Sequence, residues 1–391
     1  MIPVEEALAR VLALARVTES ETVPLGKAAG RWMAAAVSAR RDQPPFAAAA
    51  MDGYAVIGPA VAGQSFRVIG EAAAGHGFAG PVGPGEALRI FTGAPVPEGA
   101  TQVVLQEDVT RIGDRITLAT ASGNMNIRPA GSDFRRGATI APHRVAAADL
   151  ALFAAMNLAD LEVRRRPVVA VIATGDELVM PGEAPGPDQI IASNSFAIKA
   201  LAEAEGAEVR LLPIARDSEA SLAAVFGLAG GADLVVTIGG ASVGDHDLVA
   251  KVAGGLGLER AFYKIAMRPG KPLMAGRLGA AVMLGLPGNP VSAIVCAHLF
   301  LRPLLRAMQG DPAPAPRPRR ALLGIDTGPA GPRSHYMRAC LAEGETLPVI
   351  TPFGNQDSAM LTLLADARAL LIRPLGDGPR KTGEVVEYLP L

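Results

Sequence analysis

From Pro167 onward the chain repeats one pattern, in which short apolar runs without polar alternation are joined by loops and by stretches of helical spacing. The runs are "PVVAVIAT" (167–174), "AEVRLLPI" (207–214), "DLVVTIGG" (233–240), "RAFYKIAM" (260–267) and "AVMLG" (281–285), with "SNSFAIKALAEAEG" (193–206) and "SEASLAAVFGLAGG" (218–231) between them. A strand that is apolar on both faces must be covered on both, which predicts a three-layer α/β domain with a mostly parallel sheet. Ser193 or Asn194 caps the first helix, Gly206 stops it, and Asp217 caps the second. In open sheets of this kind ligands bind beyond the carboxyl ends of the strands. Four loops qualify: "TGDEL" (174–178), "GGASVGDHD" (239–247), "RPGKP" (268–272) and "PGNP" (287–290).

The rest of the chain is punctuated differently. Its 44 glycines and 32 prolines among 391 residues exceed the usual combined share of about 12% and point to turns and short strands. Residues 1–40 read as helical, and "RRDQPPF" (40–46) breaks that pattern because tandem prolines exclude helix. Short apolar runs between turns then predict a small β domain over 41–138. Helical spacing returns in "HRVAAADLALFAAMNLADLEV" (143–163), so 1–40 plus 139–166 is expected to form a discontinuous first domain around that insertion. After the α/β domain (167–309), "GDPAPAPRPRR" (310–320) reads as a stiff linker into a C-terminal β domain (310–391).

Composition removes several function classes. With 37 basic and 38 acidic residues the chain lacks the basic excess that nucleic-acid binding needs. Cys296 and Cys340 are too few for a disulfide framework, which fits a reducing cytoplasm. Glu5, Glu6 and Arg10 interrupt the N-terminal apolar pattern, so it is read as an amphipathic helix and not as a signal peptide. No run of about 18 uncharged apolar residues is seen, and no membrane span is expected.

Within the four loops, Gly239-Gly240 can turn backbone amides toward an anion, although most such pairs are simply turns. Arg268 and Lys271 flank Pro269-Gly270. Asp176, Glu177, Asp245 and Asp247 add carboxylates, and acids beside an anion-binding backbone suit a hard cation such as Mg²⁺ bridging a phosphate. The same acids can also cap helices, the reading favoured for Asp176. Pro287 and Pro290 fix the backbone around Gly288-Asn289, so the following helix would present free amides to an oxyanion. His76, His143, His246, His298 and His335 show no ligand spacing. Asp52-Gly53 is either a hairpin corner or a functional carboxylate, and Thr92 is the one reactive side chain of its turn.

Taken in order, "MDGYA", "TGAPVPEGA", "VVLQEDV", "PAGSDFRRG", "ATGDEL", "NSFAIKALAEAEGAE", "GGASVGDHD", "MRPGKPLMAG" and "LGLPGNPVSA" resemble the molybdopterin molybdenumtransferase family, the MoeA type related to the gephyrin E domain. The resemblance covers the whole chain. It implies a homodimer of four-domain protomers with a C-terminal β-barrel-like domain. It also implies insertion of molybdate into adenylylated molybdopterin, with Mg²⁺-dependent release of AMP and molybdenum cofactor. A molybdopterin adenylyltransferase would act upstream, and apo-molybdoenzymes or their chaperones downstream. The site would lie in the cleft between one subunit's α/β domain and the other's inserted domain.

Carried over by motif, Asp52, Thr92, Asp133, Glu177, Asp217 and Asp247 are the catalytic positions, with Asp52, Glu177 and Asp247 toward Mg²⁺. Gly239, Gly240, Ser242, Gly244, Lys264, Arg268, Lys271, Pro287, Pro290 and Ser292 would hold pterin, phosphate and molybdate, joined by Arg338 and Ser358 from the C-terminal domain. Arg268 stands where many relatives have Lys, Ser132 where an acid is common, and His246 where an aromatic is common. Two other readings are a molybdopterin adenylyltransferase, which needs only the α/β unit, and a noncatalytic molybdopterin-binding scaffold.

Overall fold

The computed structural model describes residues 1–121, 123–240 and 248–391. These form two compact units, Met1–Glu21 with Arg164–Leu391, and Thr22–Val163.

In the first unit, helix α1 (Val4–Ala13) is followed by β1 (Val168–Ala173), α2 (Asn194–Ala204), β2 (Glu208–Leu211), α3 (Glu219–Leu228), β3 (Leu234–Ile238), α4 (Leu248–Gly255), β4 (Leu258–Tyr263), β5 (Met274–Leu278) and β6 (Ala281–Leu286). The sheet order is β2-β1-β3-β6-β5-β4. Pairings among β2, β1, β3 and β6 are parallel, whereas β5 is antiparallel to both β6 and β4. Two reversals cancel, so β4 runs the same way as β6, and the loops after β1, β2, β3, β4 and β6 emerge on one rim. The sequence reading passes over β5 because Pro272 and Gly279 bracket it; those residues make the turns that reverse the chain.

Burial follows the unbroken apolar runs. Val169, Val171, Leu234, Val236 and Leu284 enter one core, while Ala170, Ile172, Val235 and Met283 enter the other with Leu222 and Phe226 of α3 and Val249 and Val252 of α4. Val4, Ala7 and Val11 of α1 lie in the first core, not with the 143–163 segment. The long helix α5 (Pro290–Met308) fills the same core. Its 19 residues, interrupted by Arg302 and Arg306, are long and apolar enough to cross a membrane by length and composition, but 72% of an 18-residue window of it is buried inside the protein. Its polar end is pinned by Glu205, 3% exposed, which accepts from Arg302 Nε at 2.7 Å and Arg306 Nε at 2.8 Å. Burial alone would raise the Glu205 pKa; the two guanidinium groups outweigh it and hold the carboxyl below its usual range.

The C-terminal strands β7 (Arg319–Leu323), β8 (Ser334–Ala342), β9 (Val349–Pro352), β10 (Ala369–Arg373) and β11 (Val385–Pro390) pair in the ring β8-β9-β7-β11-β10-β8. This is a closed five-stranded barrel, the expected barrel-like domain. The two-residue strand Met267–Arg268 adds to it in parallel, with Arg268 opposite His335.

In the second unit six short strands form one sheet, in the order Gln102–Leu105, Gly53–Val56, Glu86–Ile90, Ser65–Ala72, Arg115–Leu118, Val109–Ile112. Its centre requires glycine, because a Cβ on Gly53 would stand 1.9 Å from the Val104 carbonyl oxygen. A separate cluster of Val23, Met33, Val145, Phe153, Leu161 and Val163 surrounds helix Ala147–Ala155.

Replacing Glu205 by Ala leaves two arginines facing a cavity without their acceptor. The unfolding free energy of the sheet-bearing unit is expected to drop by about 2–4 kcal/mol, since breaking a buried pair from one side costs this order; urea denaturation measures it, and a drop under about 0.5 kcal/mol, the range of ordinary surface substitutions, would refute the pin.

Candidate functional site

Two adjoining cavities open at the rim. The first, about 600 Å³, is lined by Thr174, Gly175, Glu177, Asp217, Gly239, Gly240 and the segments 190–195 and 287–290. The second, about 540 Å³, is lined by Arg268 through Pro272, by Arg333 and by the barrel loop 355–358. Pro272, Asn289 and Ser292 face both.

The first cavity is shaped by close backbone approach. The Thr174 amide donates to the Ile238 carbonyl at 3.0 Å. Gly239 and Gly240 have φ of +93° and +64°, and a Cβ would come within 2.8 Å of the Thr174 carbonyl oxygen at Gly239 and 2.3 Å of Val249 Cγ2 at Gly240. Both glycines are therefore packing requirements. The Gly239 amide, expected to face an anion, donates instead to the Leu286 carbonyl at 3.1 Å.

On the opposite wall the Glu177 carboxylate folds over Gly175, where a Cβ would meet its Oε2 at 2.3 Å. Asp217 does not cap α3. Ser218 does, its hydroxyl accepting from the Ser221 amide, which leaves the Asp217 carboxylate to the cavity. Asp176, expected to cap a helix, ties a loop instead: its Oδ1 accepts at 3.1 Å from the amide of Asp217, the residue before the Ser218 cap. Neither Glu177 nor Asp217 has a side-chain hydrogen bond or ion pair to another described residue.

The second cavity is cationic. Arg268 and Lys271 line it as expected; Arg333, which no sequence pattern singled out, adds a third positive side chain. Ser292, 5% exposed, and Asn289 enter from the start of α5. The expected row of free amides there is largely absent, since Pro290 has none and Val291 donates to the Ser358 carbonyl at 3.1 Å. Asn289 Nδ2 lies 3.1 Å from Ser358 Oγ, so Ser358 fastens the barrel loop to α5.

Arg338 is not in the lining. It is 1% exposed, and its guanidinium donates to the carbonyls of Met360 at 2.9 Å, Asp357 at 2.9 Å and Asn355 at 3.3 Å. It shapes the cavity wall from behind. Lys264 also lines neither cavity; it has φ +72° and holds its ammonium 4.9 Å from the Tyr263 ring centroid. His335 lies beside Arg268, with Nε2 buried and unpaired among the described residues. Burial, then the charges of Arg268, Arg333, Arg373 and Arg338, push its pKa down to about 4, so it is neutral at pH 7.

In the other unit Asp52 Oδ1 accepts from the Thr92 amide at 2.8 Å and the Thr92 hydroxyl at 2.7 Å. These bonds, with Arg89 adding attraction, hold its carboxyl below the usual range. Asp133 lines a cavity of about 390 Å³ with Gln43, Arg128, Ser132 and Gly93, the residue after Thr92. Ser242, Gly244, Asp245, His246 and Asp247 lie outside the described residues. Among the described residues no three His, Cys, Asp or Glu side chains gather as a metal site.

Three family models match the chain: MoeA N-terminal region (domain I and II) at residues 2–157, probable molybdopterin binding domain at 170–307, and MoeA C-terminal region (domain IV) at 320–391. A molybdopterin molybdenumtransferase of Nostoc sp. is 34% identical, covering 95% of this chain and 89% of the relative. Molybdopterin molybdenumtransferase 2 of Mycobacterium tuberculosis is 36% identical over 96% of both. Among solved structures, the molybdopterin biosynthesis moeA protein of Pyrococcus horikoshii superposes with a TM-score of 0.83 at 31% identity, covering 100% of this chain and 99% of the other.

Two outcomes follow from this geometry. Thr92→Val removes one of the two bonds that favour ionised Asp52, so the Asp52 pKa is expected to rise toward the ordinary carboxylate value in a carboxyl-carbon NMR titration; an unmoved midpoint would exclude the hydroxyl. Arg338→Met is expected to accelerate amide exchange in 355–360 at least ~10-fold, a loss of about 1.4 kcal/mol of local opening energy, with the strands of the barrel unchanged; protected amides in that loop would contradict the bracing role.

Proposed function

The chain belongs to the MoeA family of molybdopterin molybdenumtransferases, enzymes of molybdenum cofactor biosynthesis, and on that premise we propose that it inserts molybdenum into adenylylated molybdopterin with hydrolysis of the adenylate. One observation carries the reading: two cavities of opposite electrostatic character share a wall at Pro272, Asn289 and Ser292.

Hydrolysis breaks one P–O bond of the phosphoanhydride and adds water across it, so AMP and the pterin each leave with one phosphoryl group. Glu177 and Asp217 present hard oxygen donors on the wall of the first cavity, of the kind that Mg²⁺ on adenylate phosphates prefers. We assign Asp52, Glu177 and Asp247 to hold that ion, which when bound neutralises charge on the phosphates. Molybdate, a tetrahedral dianion and here a substrate, suits Arg268, Lys271 and Ser292. Arg268 offers a planar fork and Lys271 a point charge, a difference that orients an oxyanion as well as attracting it. Pro287 and Pro290 stiffen the shared wall. A homodimer, an upstream molybdopterin adenylyltransferase, downstream apo-molybdoenzymes and a cytoplasmic location belong to the same proposal; two unpaired cysteines fit the last.

The test mixes the protein with adenylylated molybdopterin, molybdate and Mg²⁺ and follows AMP. Molybdate-dependent AMP is expected, and Glu177→Ala should lower its release at least ~100-fold, the loss seen when a group acting on transition-state charge is removed, while the pterin still binds. AMP transfer from ATP to molybdopterin in its place would favour the adenylyltransferase reading, and binding without either reaction the scaffold.

A further inference from the structure

Arg216 lies in the loop between β2 and α3, and no motif drew attention to it. Its Nη1 donates to the carbonyls of Gly175 at 3.2 Å, Asp176 at 3.0 Å and Leu178 at 3.0 Å. The one carbonyl of that stretch left over, Glu177, accepts from the Ile190 amide at 2.7 Å. Every carbonyl from 175 to 178 is thus held. The Arg216 end of the contact is fixed as well: its own amide donates to Ser221 Oγ at 2.9 Å, and the next amide, Asp217, donates to Asp176 Oδ1 at 3.1 Å.

A guanidinium beside a carboxylate would ordinarily pair with it. Arg216 does not: its donors reach the backbone on both sides of Glu177, and no ion pair joins the two side chains among the described residues. The loop is fixed while the carboxylate stays unpaired and turned over Gly175. We propose that Arg216 is a positioning residue for Glu177, bracing the backbone that carries this carboxylate without neutralising it. The inference rests on the assignment of Glu177 under the proposed function.

The experiment is a double-mutant cycle on AMP release with Arg216→Ala, Glu177→Gln and the pair. If the brace acts through Glu177, Arg216→Ala lowers the release rate by ~10- to 100-fold, the scale of a misplaced reacting group, with pterin binding unchanged. In the Glu177→Gln background the Arg216→Ala change is expected to cost less than about 2-fold, because the group it positions is already disabled. Equal losses in both backgrounds would overturn the proposal. Amide exchange supplies a readout independent of catalysis: Arg216→Ala should speed exchange at Gly175 and Asp217 and leave β1 and β3 protected. If the unmodified protein releases no AMP, the proposed function fails while exchange still decides whether Arg216 braces the loop; unchanged exchange overturns the brace itself.

Discussion

Arg338 is a full positive charge in the protein interior, and burial pulls its pKa down. It is retained there because its donors find three carbonyls of one loop. Burying a guanidinium without acceptors would be prohibitive, so the loop and the arginine fix each other. That loop carries Ser358, whose carbonyl and hydroxyl reach the first turn of α5. The second cavity exists only because this chain of contacts is complete: remove the buried cation and the wall facing Arg268 and Lys271 loses its support.

The two cavities divide the electrostatic work. Glu177 and Asp217 line the first, and Arg268, Lys271 and Arg333 outnumber Asp357 in the second, with uncharged Pro272, Asn289 and Ser292 between them. Burial, with four arginines near it, keeps His335 neutral, so it adds no further positive charge in a region already crowded with it. Like charges lining one cavity repel one another, and the proposed oxyanion would relieve that repulsion.

Much of the fold was legible because β1, β3 and β6 are apolar on both faces, a pattern that only a two-sided covering satisfies. The family was legible because nine motifs occur in one order. Apart from the Ser218 cap, a local choice, what escaped depends on contacts distant in sequence. Ser218 outcompetes Asp217 as a cap through the geometry of one turn. The Val291 amide is taken by a residue 67 positions away, Arg338 faces inward, and α1 packs on the sheet. Arg216 and Arg333 stand out only once loops separated in the chain are seen side by side. The lone residues of "RPGKP" and "PGNP" could be placed on the rim from strand direction alone, whereas the direction of an amide or guanidinium could not.

The same reasoning explains why the rim is rich in glycine and proline. Gly239 and Gly240 let β3 turn within contact distance of Thr174, and Asn194 Nδ2 donates to the Gly288 carbonyl at 2.7 Å, tying the start of α2 to the loop before α5. Each loop is held by a neighbour in space: 175–178 by Arg216 and Ile190, 288–291 by Asn194 and Ser358, 355–360 by Arg338. Polar side chains such as Asn194, Asn289 and Ser358 both hold a loop and line a cavity, whereas Glu177, Asp217, Arg268 and Lys271, which also face the cavities, hold no backbone among the described residues. A carboxylate or cation that also secured its own loop would have to give up that contact to meet a ligand. Here Glu177, Asp217, Arg268 and Lys271 are free of that duty, which lets the walls stay fixed while the charged groups engage what enters.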